Sequence, residues 1–290
     1  MPRIELEKPV NDMHLRETKE GIRIYDPADF DGMRKAGRLA AEILDAVGPL
    51  VKAGTTTHAL DAAVEKMVDD AGAISATIGY KGYKHASCIS VNHVVCHGIP
   101  GSEIPKSKYE KVARKNDILK DGDILNVDVT VIVDGWFGDT SRMYTVGPQK
   151  KFAERLVQVT HDSLFEGINQ VKPGNTFGDI GHAIQKYAEA RKMSVVRDFC
   201  GHGIGRVFHS PPNVLHYGKP GTGAVLEEGM IFTIEPMLNL GRAETKVLSD
   251  DWTAITVDKT LSAQFEHSIA VTSDGFEIFT ESPKGIYFPA

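Results

Sequence analysis

The sequence has few cysteines, no long apolar run and no excess of basic residues, and each of these absences excludes a class of protein. No stretch approaches the roughly 18 apolar residues that a helix needs to cross a bilayer. Three cysteines in 290 residues cannot form a closed set of disulfides, which favours a reducing compartment. A net charge of -6 with a pI near 6.0 argues against nucleic acid as a partner. We therefore expect a cytoplasmic protein that binds neither DNA nor a membrane.

Signals for targeting and for nucleotide binding are also missing. The first 25 residues mix acids with bases and contain no apolar core of a secretory signal. Neither GxxxxGK[ST] nor GxGxxG is present, because the segment GHGIGR at 201–206 lacks the final glycine of the second motif. The ordinary composition, 41% hydrophobic and 25% charged, is compatible with one large domain or two small ones.

The chain repeats itself once, in the same order along its length. The segment VKAGTT at 51–56 matches VKPGNT at 171–176, and CHGI at 96–99 resembles GHGI at 201–204. The segment LKDGDILNVD at 119–128 matches LEEGMIFTIE at 226–235. One such match could arise by chance, but three in order, two of them carrying a histidine or ending on an acid, indicate a duplication. We expect an α/β fold of two halves, each with helices, a histidine segment and antiparallel strands.

The helices are predicted on the same plan. A proline directly after Asp26 begins the first one, because proline is favoured at the first helical position. The corresponding helix of the second half is expected at 152–171. Thr56 and Thr176 are expected to cap the next helix of each half, and Asp179 completes a capping box at the second.

These patterns divide the chain into an extension, residues 1–25, and a single domain, residues 26–290. A lysine-rich insertion at 101–116 interrupts the symmetry of the halves. We interpret it as a solvated surface loop, which is the usual reason for such a run of charge.

Two aspartates in the first half are predicted to share one face of a hairpin. The pair Asp-Gly at 134–135 is a strong turn signal between strands at 127–133 and 136–144. In this register Asp128 and Asp139 are diagonal neighbours, roughly 7 Å apart at Cβ. Their carboxylates repel each other unless a cation lies between them or one is protonated. The alternating valines fill the opposite face, which weakens the alternative that both acids simply face solvent.

The second half offers three further ligands. Glu235 ends an apolar strand, and Glu266 lies inside another, where a charge is costly unless it is paired or bound to a metal. His202 lies among glycines. A lone histidine is usually only a hydrogen-bonded polar group, so His202 is evidence for a metal site only in combination with the four acids. Four carboxylates and one imidazole from five segments predict a pair of divalent ions. Oxygen ligands with one imidazole suit Mn, Co, Fe(II) or catalytic Zn, and the residues leave this choice open.

These segments together resemble type I methionine aminopeptidases, over about residues 27–283. The matching stretches are NHVVCHGIP at 92–100, NVDVT at 126–130, GDTS at 138–141, GHGIGR at 201–206, FTIEPM at 232–237 and SAQFEH at 262–267. The resemblance implies the pita-bread fold, which agrees with the repeat, and it implies the same five metal ligands. It further implies a hydrolase that removes the amino-terminal methionine of nascent proteins and prefers a small second residue. The reaction would use a hydroxide bound by two divalent metals.

The resemblance also implies roles for residues around the metals. His97 and His209 match the histidines that contact substrate, His209 at the oxyanion and His97 at the scissile nitrogen. We expect Glu235 to accept the proton of the attacking water. Further residues match the walls of the methionine pocket, although core packing is an alternative for the aromatic ones, and three match a monovalent-cation site. The pocket residues are Tyr80, Tyr83, Cys88, Phe208 and Trp252, and the cation residues are Asn92, Val94 and Ser262.

Two other interpretations remain at this stage. A proline-specific peptidase of the same fold generally carries an additional amino-terminal domain, which 25 residues are too few to form. A non-enzymatic binding protein of this fold is expected to lose metal ligands, and all five are present. The expected partners are the amino termini of nascent polypeptides, with the ribosome as a candidate place of contact, and the chain is expected to be a monomer.

Overall fold

A computed structural model describes residues 15–101 and 117–286 of the chain. The predicted insertion at 101–116 lies outside the described residues, apart from Gly101. Four helices are present in the described ranges: α1 (Phe30–Val47), α2 (Thr57–Asp70), α3 (Lys151–Ile168) and α4 (Phe177–Ala190). Short 3-10 turns lie at Pro27–Asp29, Gly48–Leu50 and Tyr80–Gly82.

The strands are short except for one long hairpin. They are β1 (Arg16–Glu17), β2 (Arg23–Ile24), β3 (Ile74–Ser75), β4 (Cys88–Val91), β5 (Val94–Cys96), β6 (Ile124–Val133), β7 (Trp136–Thr145), β8 (Ser194–Val195), β9 (Gly201–Gly203), β10 (Ser210–Val214), β11 (Ile231–Ile234), β12 (Met237–Asn239), β13 (Thr245–Val247), β14 (Ala254–Thr256), β15 (Ser262–Gln264), β16 (His267–Val271) and β17 (Phe276–Ile278).

The strands pair antiparallel in small sheets. The largest has the order β10-β9-β11-β16-β17, and a four-stranded sheet joins β3, β6 and β4 with β7 paired to β6. Two three-stranded sheets have the orders β15-β12-β8 and β13-β14-β5, and β1 pairs with β2. Helices and antiparallel strands together confirm the predicted α/β class.

The backbone confirms the internal repeat. Before α2, the N–H of Gly54 donates to the carbonyl of Leu119 at 2.8 Å. Before α4, the N–H of Gly174 donates to the carbonyl of Leu226 at 3.0 Å. Gly54 and Gly174 are equivalent positions of the repeat, as are Leu119 and Leu226. In both halves, therefore, the segment before the helix is hydrogen-bonded to an equivalent turn.

The helix caps explain where α2 and α4 begin. The hydroxyl oxygen of Thr56 accepts the N–H of Ala59 at 3.0 Å. The carboxylate of Asp179 accepts the N–H and the hydroxyl of Thr176, at 2.8 and 2.7 Å. Both side chains satisfy groups that a helix start otherwise leaves unpaired. The predicted caps are confirmed.

Helix α1 lies against the β6–β7 hairpin and fixes its position. The apolar side of α1 is buried, with Met33 and Leu44 at 0% and 1% exposure. Gly138 of β7 allows close contact, because a Cβ there would overlap the backbone of Ala36. Burying a side chain of this size contributes roughly 1.5 to 3 kcal/mol. The helix therefore supports the strand on which the next residue, Asp139, lies.

Helices α3 and α4 cover the sheets of the second half. Their buried residues Leu156, Ile180 and Ile184 share one core cluster with Phe232 and Ile234 of β11. This packing fixes the position of β11 and therefore the position of Glu235, the residue that directly follows the strand. Within the two described ranges, none of the helices has the length and apolar character that a membrane crossing requires.

Residues 15–25 of the predicted extension form a hairpin that packs onto the second half. Ile22 is 1% exposed and belongs to the core cluster of α3 and α4. The N–H of Tyr25 donates to the carbonyl of Gly229 at 2.8 Å, and Ile24 forms a bridge with Met230. The division into an extension at 1–25 and a domain at 26–290 stays a prediction.

Candidate active site

The long hairpin carries the first two acids with the predicted register. Thr130 lies opposite Asp139, and Asp128 lies opposite Ser141. The side chains of Asp128, Thr130 and Asp139 therefore share one face, while the valines of β6 pack on the other side in the core with α1. The hydroxyl of Thr130 donates to Oδ1 of Asp139 at 2.7 Å. This contact fixes the orientation of the Asp139 carboxylate.

The second half brings its ligands to the same place through its strands. His202 lies on β9, and Glu235 directly follows β11, the strand that pairs with β9. Thr233 joins them: its hydroxyl oxygen accepts the N–H of His202 at 3.0 Å, and its hydroxyl donates to Oε1 of Glu235 at 2.8 Å. Gln264 donates to the other oxygen of Glu235 at 3.3 Å.

Glu266 belongs to the second half of the chain and contacts the hairpin of the first half. It lies between β15 and β16, and its N–H donates to the carbonyl of Ser141 on β7 at 3.1 Å. The hydroxyl of Thr140 donates to the carbonyl of Glu266 at 2.7 Å. This pair of contacts joins the halves and places Glu266 beside the hairpin acids.

The donor atoms converge. Nε2 of His202 lies 3.6 Å from Oδ2 of Asp139 and 3.7 Å from Oε1 of Glu235. Donor atoms of Asp139, His202 and Glu266 all lie within 4.8 Å of one another. Asp128 lines the same cavity as these four. The structure therefore brings together all five residues that we predicted as ligands.

Burial and mutual repulsion raise the pKa values of the acids at this site. Burial raises the pKa of Asp128 and Glu266 well above the usual range, and the neighbouring acids add to this effect. Burial also raises the pKa of Glu235 to about 7, against the opposing effect of His202. Burial opposes the charged form of His202, but the nearby carboxylates of Asp139 and Glu235 outweigh it and raise its pKa. A cation bound among these acids would offset their mutual repulsion.

The donor set fits divalent ions. Four carboxylates with one imidazole are the ligands that Mn, Co, Fe(II) or catalytic Zn accept. Cys88 and Cys96 also line the cavity, but burial raises the pKa of both thiols well above its usual value. A protonated thiol is a poor ligand, which favours the five predicted oxygen and nitrogen donors as the ligands.

The site opens into a cavity of about 660 Å³, a size typical of small-molecule sites. Every catalytic, pocket and metal residue predicted from the sequence lines it. These are Tyr80, Tyr83, Cys88, His97, Asp128, Asp139, His202, Phe208, His209, Glu235, Trp252 and Glu266.

Aromatic side chains form one wall of the cavity. The ring centroids of Tyr83 and Trp252 are 4.9 Å apart, as are those of Tyr80 and Phe208. The hydroxyl of Tyr83 donates to the carbonyl of Ser87 at 2.9 Å, so this buried ring has a paired polar end. The four rings therefore contribute to the cavity surface as well as to packing.

Two further histidines, His97 and His209, line the cavity beside the predicted ligands. His97 contacts Phe199 and Trp252 at 5.4 and 6.0 Å between ring centroids, and burial lowers its pKa to about 4. His209 lies 4.2 Å from the ring of His202. Partial burial, then the proximity of His202, lowers the pKa of His209. Both imidazoles are neutral near pH 7 and offer one N–H donor each.

The predicted monovalent-cation residues lie outside this cavity. The carbonyl of Asn92 accepts the N–H of Ser262 at 2.8 Å. The side chain of Asn92 accepts the N–H of Ile124 at 3.2 Å and donates to Asp123 at 2.8 Å. Val94 begins β5 nearby. A cation site at these residues stays a prediction.

Some cavity residues were not predicted from the sequence. Five of them lie outside the strands and five lie in the short strands β5, β10 and β12, where no long alternation marks a side chain as facing a cavity. They are Thr77, Lys81, Cys96, Asp198, Phe199, Cys200, Ser210, Pro211, Asn213 and Met237.

Comparison with known proteins gives a family match over most of the chain. The model of metallopeptidase family M24 matches residues 31–273. The chain is 53% identical to methionine aminopeptidase of Rickettsia prowazekii over 270 residues, which are 92% of this chain and 98% of that protein. It is 50% identical to methionine aminopeptidase of Escherichia coli K12 over 260 residues, 89% of this chain and 94% of that protein.

Solved structures show the same relationship. The crystal structure of methionine aminopeptidase from Rickettsia prowazekii aligns with a TM-score of 0.84 at 52% identity, covering 89% of this chain and 99% of that chain. Prolidase from Pyrococcus horikoshii aligns with a TM-score of 0.66 at 18% identity and with 63% of its chain covered, which is a likeness of fold alone. The predicted pita-bread fold and the resemblance to methionine aminopeptidases are confirmed.

Proposed function

The chain belongs to metallopeptidase family M24 and to the methionine aminopeptidases within it, and we propose that it removes amino-terminal methionine from newly made polypeptides with a pair of divalent ions. The observation that carries this proposal is the convergence of donor atoms of Asp139, His202 and Glu266 in an aromatic-walled cavity that Asp128 and Glu235 also line. We further propose that small second residues are preferred. This preference follows from the family resemblance.

We assign the ion pair to Asp128, Asp139, His202, Glu235 and Glu266. When bound, the ions would polarise the scissile carbonyl and lower the pKa of the attacking water. The protein holds the donors in place beforehand, through the hydroxyls of Thr130 and Thr233 described above. Such contacts behind the ligands keep them oriented for binding.

Glu235 is the residue we propose to move the proton. Burial raises the pKa of this carboxyl to about 7, and bound ions would lower it again. Glu235 lines the cavity among the other donors, which is the position that a general base for a metal-bound water requires. Thr233 and Gln264 hold its two oxygens, so the carboxyl is fixed while it accepts the proton of water and passes it to the departing amine.

We propose that His209 and His97 donate hydrogen bonds to the substrate, at the developing oxyanion and at the scissile nitrogen. Both have lowered pKa values, so each is a neutral donor that adds no charge repulsion beside the metals. Preorganised donors of this kind are worth roughly 10²- to 10³-fold in rate.

The methionine side chain would lie against Tyr80, Tyr83, Cys88, Phe208 and Trp252. A flexible, polarisable thioether makes favourable contacts with aromatic rings. Two pairs of these rings are already in contact in the structure. We therefore propose that the pocket is largely formed before the substrate binds.

The test is release of the first residue from short peptides. Metal-free protein should be inactive, and Mn, Co or Fe(II) should restore cleavage of Met-Ala-Ser. Leu-Ala-Ser, Met-Phe-Ser and Ala-Pro-Ser should be poor substrates. The isosteric variant Glu266→Gln should lose both bound metal and activity, whereas Glu42→Gln on the exposed side of α1 should change neither. Full activity without metal would refute the two-metal assignment, and equal cleavage of Ala-Pro-Ser would favour a proline-specific peptidase.

We also propose a cytoplasmic location and a monomeric state, with nascent chains at the ribosome as substrates. The three cysteines are free thiols, two of them buried, which agrees with a reducing compartment. The relatives named above are methionine aminopeptidases, and the amino termini that such enzymes act on first emerge at the ribosome.

A further inference from the structure

A tyrosine near the amino terminus reaches the loop that carries two cavity residues. Tyr25 is 3% exposed, and its ring lies 5.5 Å from that of Trp136 on β7. Its hydroxyl oxygen accepts the N–H of Arg206 at 3.3 Å. The hydroxyl also packs directly on Gly205, where a Cβ would overlap it. The side chain thus lies between the long hairpin and the segment 205–206.

The backbone of Tyr25 is fixed independently. Its N–H donates to Gly229, and the preceding residue bridges Met230. This turn leads directly into β11, the strand that ends at Glu235. Tyr25 is therefore attached to the same strand that supports the proposed ligands.

The segment 205–206 is held from the other side by the hairpin. The carbonyl of Gly205 accepts the N–H of Phe137 at 2.9 Å. The guanidinium of Arg206 lies 4.3 Å from the ring centroid of Trp136 and donates to the carbonyl of Asp134 at 2.9 Å. The segment is thus clamped between Tyr25 and the hairpin.

The segment 205–206 is followed closely by two residues that line the cavity, Phe208 and His209. Phe208 stacks on Phe137, with centroids 5.6 Å apart and planes inclined by 19°. Phe208 also contacts Tyr80 at 4.9 Å and His209 at 4.1 Å. A shift of the clamped segment would move both Phe208 and His209, which follow it by two or three residues.

We propose that Tyr25 is a positioning residue that sets the placement of Phe208 and His209, so that the segment before the catalytic fold contributes to methionine recognition. Tyr25 is not among the described residues that line the cavity, and its action on the site runs through Gly205 and Arg206. Its role concerns substrate rather than metal binding. This inference rests on the proposed function for its kinetic consequences, and on the contacts above for the positioning itself.

The test compares two tyrosines that each lose one hydroxyl. Tyr25→Phe removes the bond to Arg206 and keeps the ring. Tyr144→Phe is the matched control, because its buried hydroxyl donates to the carbonyl of Leu44 on α1, and it lies at the opposite end of β7 from Trp136. Tyr25→Phe should bind metal fully, yet kcat/KM on Met-Ala-Ser should fall about 2- to 10-fold, the effect of one neutral hydrogen bond. Its preference for Met-Ala-Ser over Leu-Ala-Ser should fall as well, and Tyr144→Phe should keep both values.

A second measurement does not depend on activity. The imidazole resonances of His209, assigned in isotope-labelled protein with a His209→Gln variant, should shift in Tyr25→Phe and stay in place in Tyr144→Phe. Unchanged resonances, or kinetics equal to those of Tyr144→Phe, would overturn the positioning role. Reduced metal content in Tyr25→Phe would also overturn it, since it would show a general effect on the site. If the wild-type protein releases no methionine, the proposed function fails, and the His209 resonances still decide the role of Tyr25.

Discussion

Replacing Thr233 with valine removes a single hydroxyl that serves two of the five proposed ligands. This hydroxyl accepts the backbone N–H of His202 and donates to the carboxylate of Glu235. Valine has nearly the same shape, so the fully buried site stays filled. The substitution therefore tests the hydrogen bonds and leaves the packing almost unchanged.

The expected size of the effect follows from these two bonds. Leaving the buried N–H of His202 unpaired costs about 1 to 3 kcal/mol, and losing a bond to a charged group costs a further 1.5 to 3 kcal/mol. Valine gains some apolar contact, so we expect a loss of about 2 to 5 kcal/mol in the free energy of unfolding of the metal-free protein. Contacts behind metal ligands are typically worth 10- to 100-fold in affinity, and we expect metal binding to weaken by this factor.

Two assays and two controls decide the outcome. Urea unfolding of metal-free protein gives the stability, and titration with Mn or Co against a competing chelator gives the affinity. Thr233→Ser keeps the hydroxyl and should retain most of the affinity. Thr160→Val deletes an equally buried hydroxyl in α3, which donates to the carbonyl of Leu156, and should lower stability without changing metal affinity. Wild-type affinity in Thr233→Val would refute the view that this hydroxyl holds the ligands in place.

Three further predictions concern other residues. His202→Ala should release metal, whereas His97→Ala should keep it and lose roughly 10²- to 10³-fold in kcat/KM. Elemental analysis and peptide kinetics measure these effects, and a low metal content in His97→Ala would contradict the assignment of His97 as a substrate contact. Burial lowers the pKa of His93 to about 4, so the unfolded chain takes up its proton first as the pH falls from 6.5 towards 4. Stability should fall in this window by up to about 1.4 kcal/mol per pH unit for this group, and urea unfolding of His93→Gln should show a shallower decline. Arg142→Met leaves the buried Asp45 without its cation, 2.6 Å away in the structure, and should cost about 3 to 5 kcal/mol; thermal unfolding unchanged from wild type would show that the pair contributes little.

Local rules were sufficient for the part of the site that lies on one hairpin. The two-residue turn at 134–135 determines the pairing of β6 with β7, because strand residues alternate between two faces. Asp128 and Asp139 were placed on the same face for this reason, and the observed register agrees. The helix starts at Thr56 and Thr176 were predictable on similar grounds, from capping chemistry within four residues.

Contacts between distant segments could not be predicted in this way. The pairing of Glu266 with Ser141 joins residues more than a hundred positions apart, and only the assembled core brings them together. No periodic pattern marks Lys81 or Phe199, which come from loops, as parts of a cavity wall. The contact of Tyr25 with Trp136 likewise depends on how a separate hairpin packs on the finished fold.

The short join between the halves has a practical consequence. Strand β7 ends at Thr145 and α3 begins at Lys151, with exposed residues between them. A cut at this join would leave two acids on one fragment and His202 with the two glutamates on the other. Ile124 and Met143 of the first fragment belong to the core cluster of the second, so the fragments would share an apolar surface by which to reassociate. Peptide cleavage would then serve as a direct readout of fragment complementation, since neither piece alone holds the full set of donors.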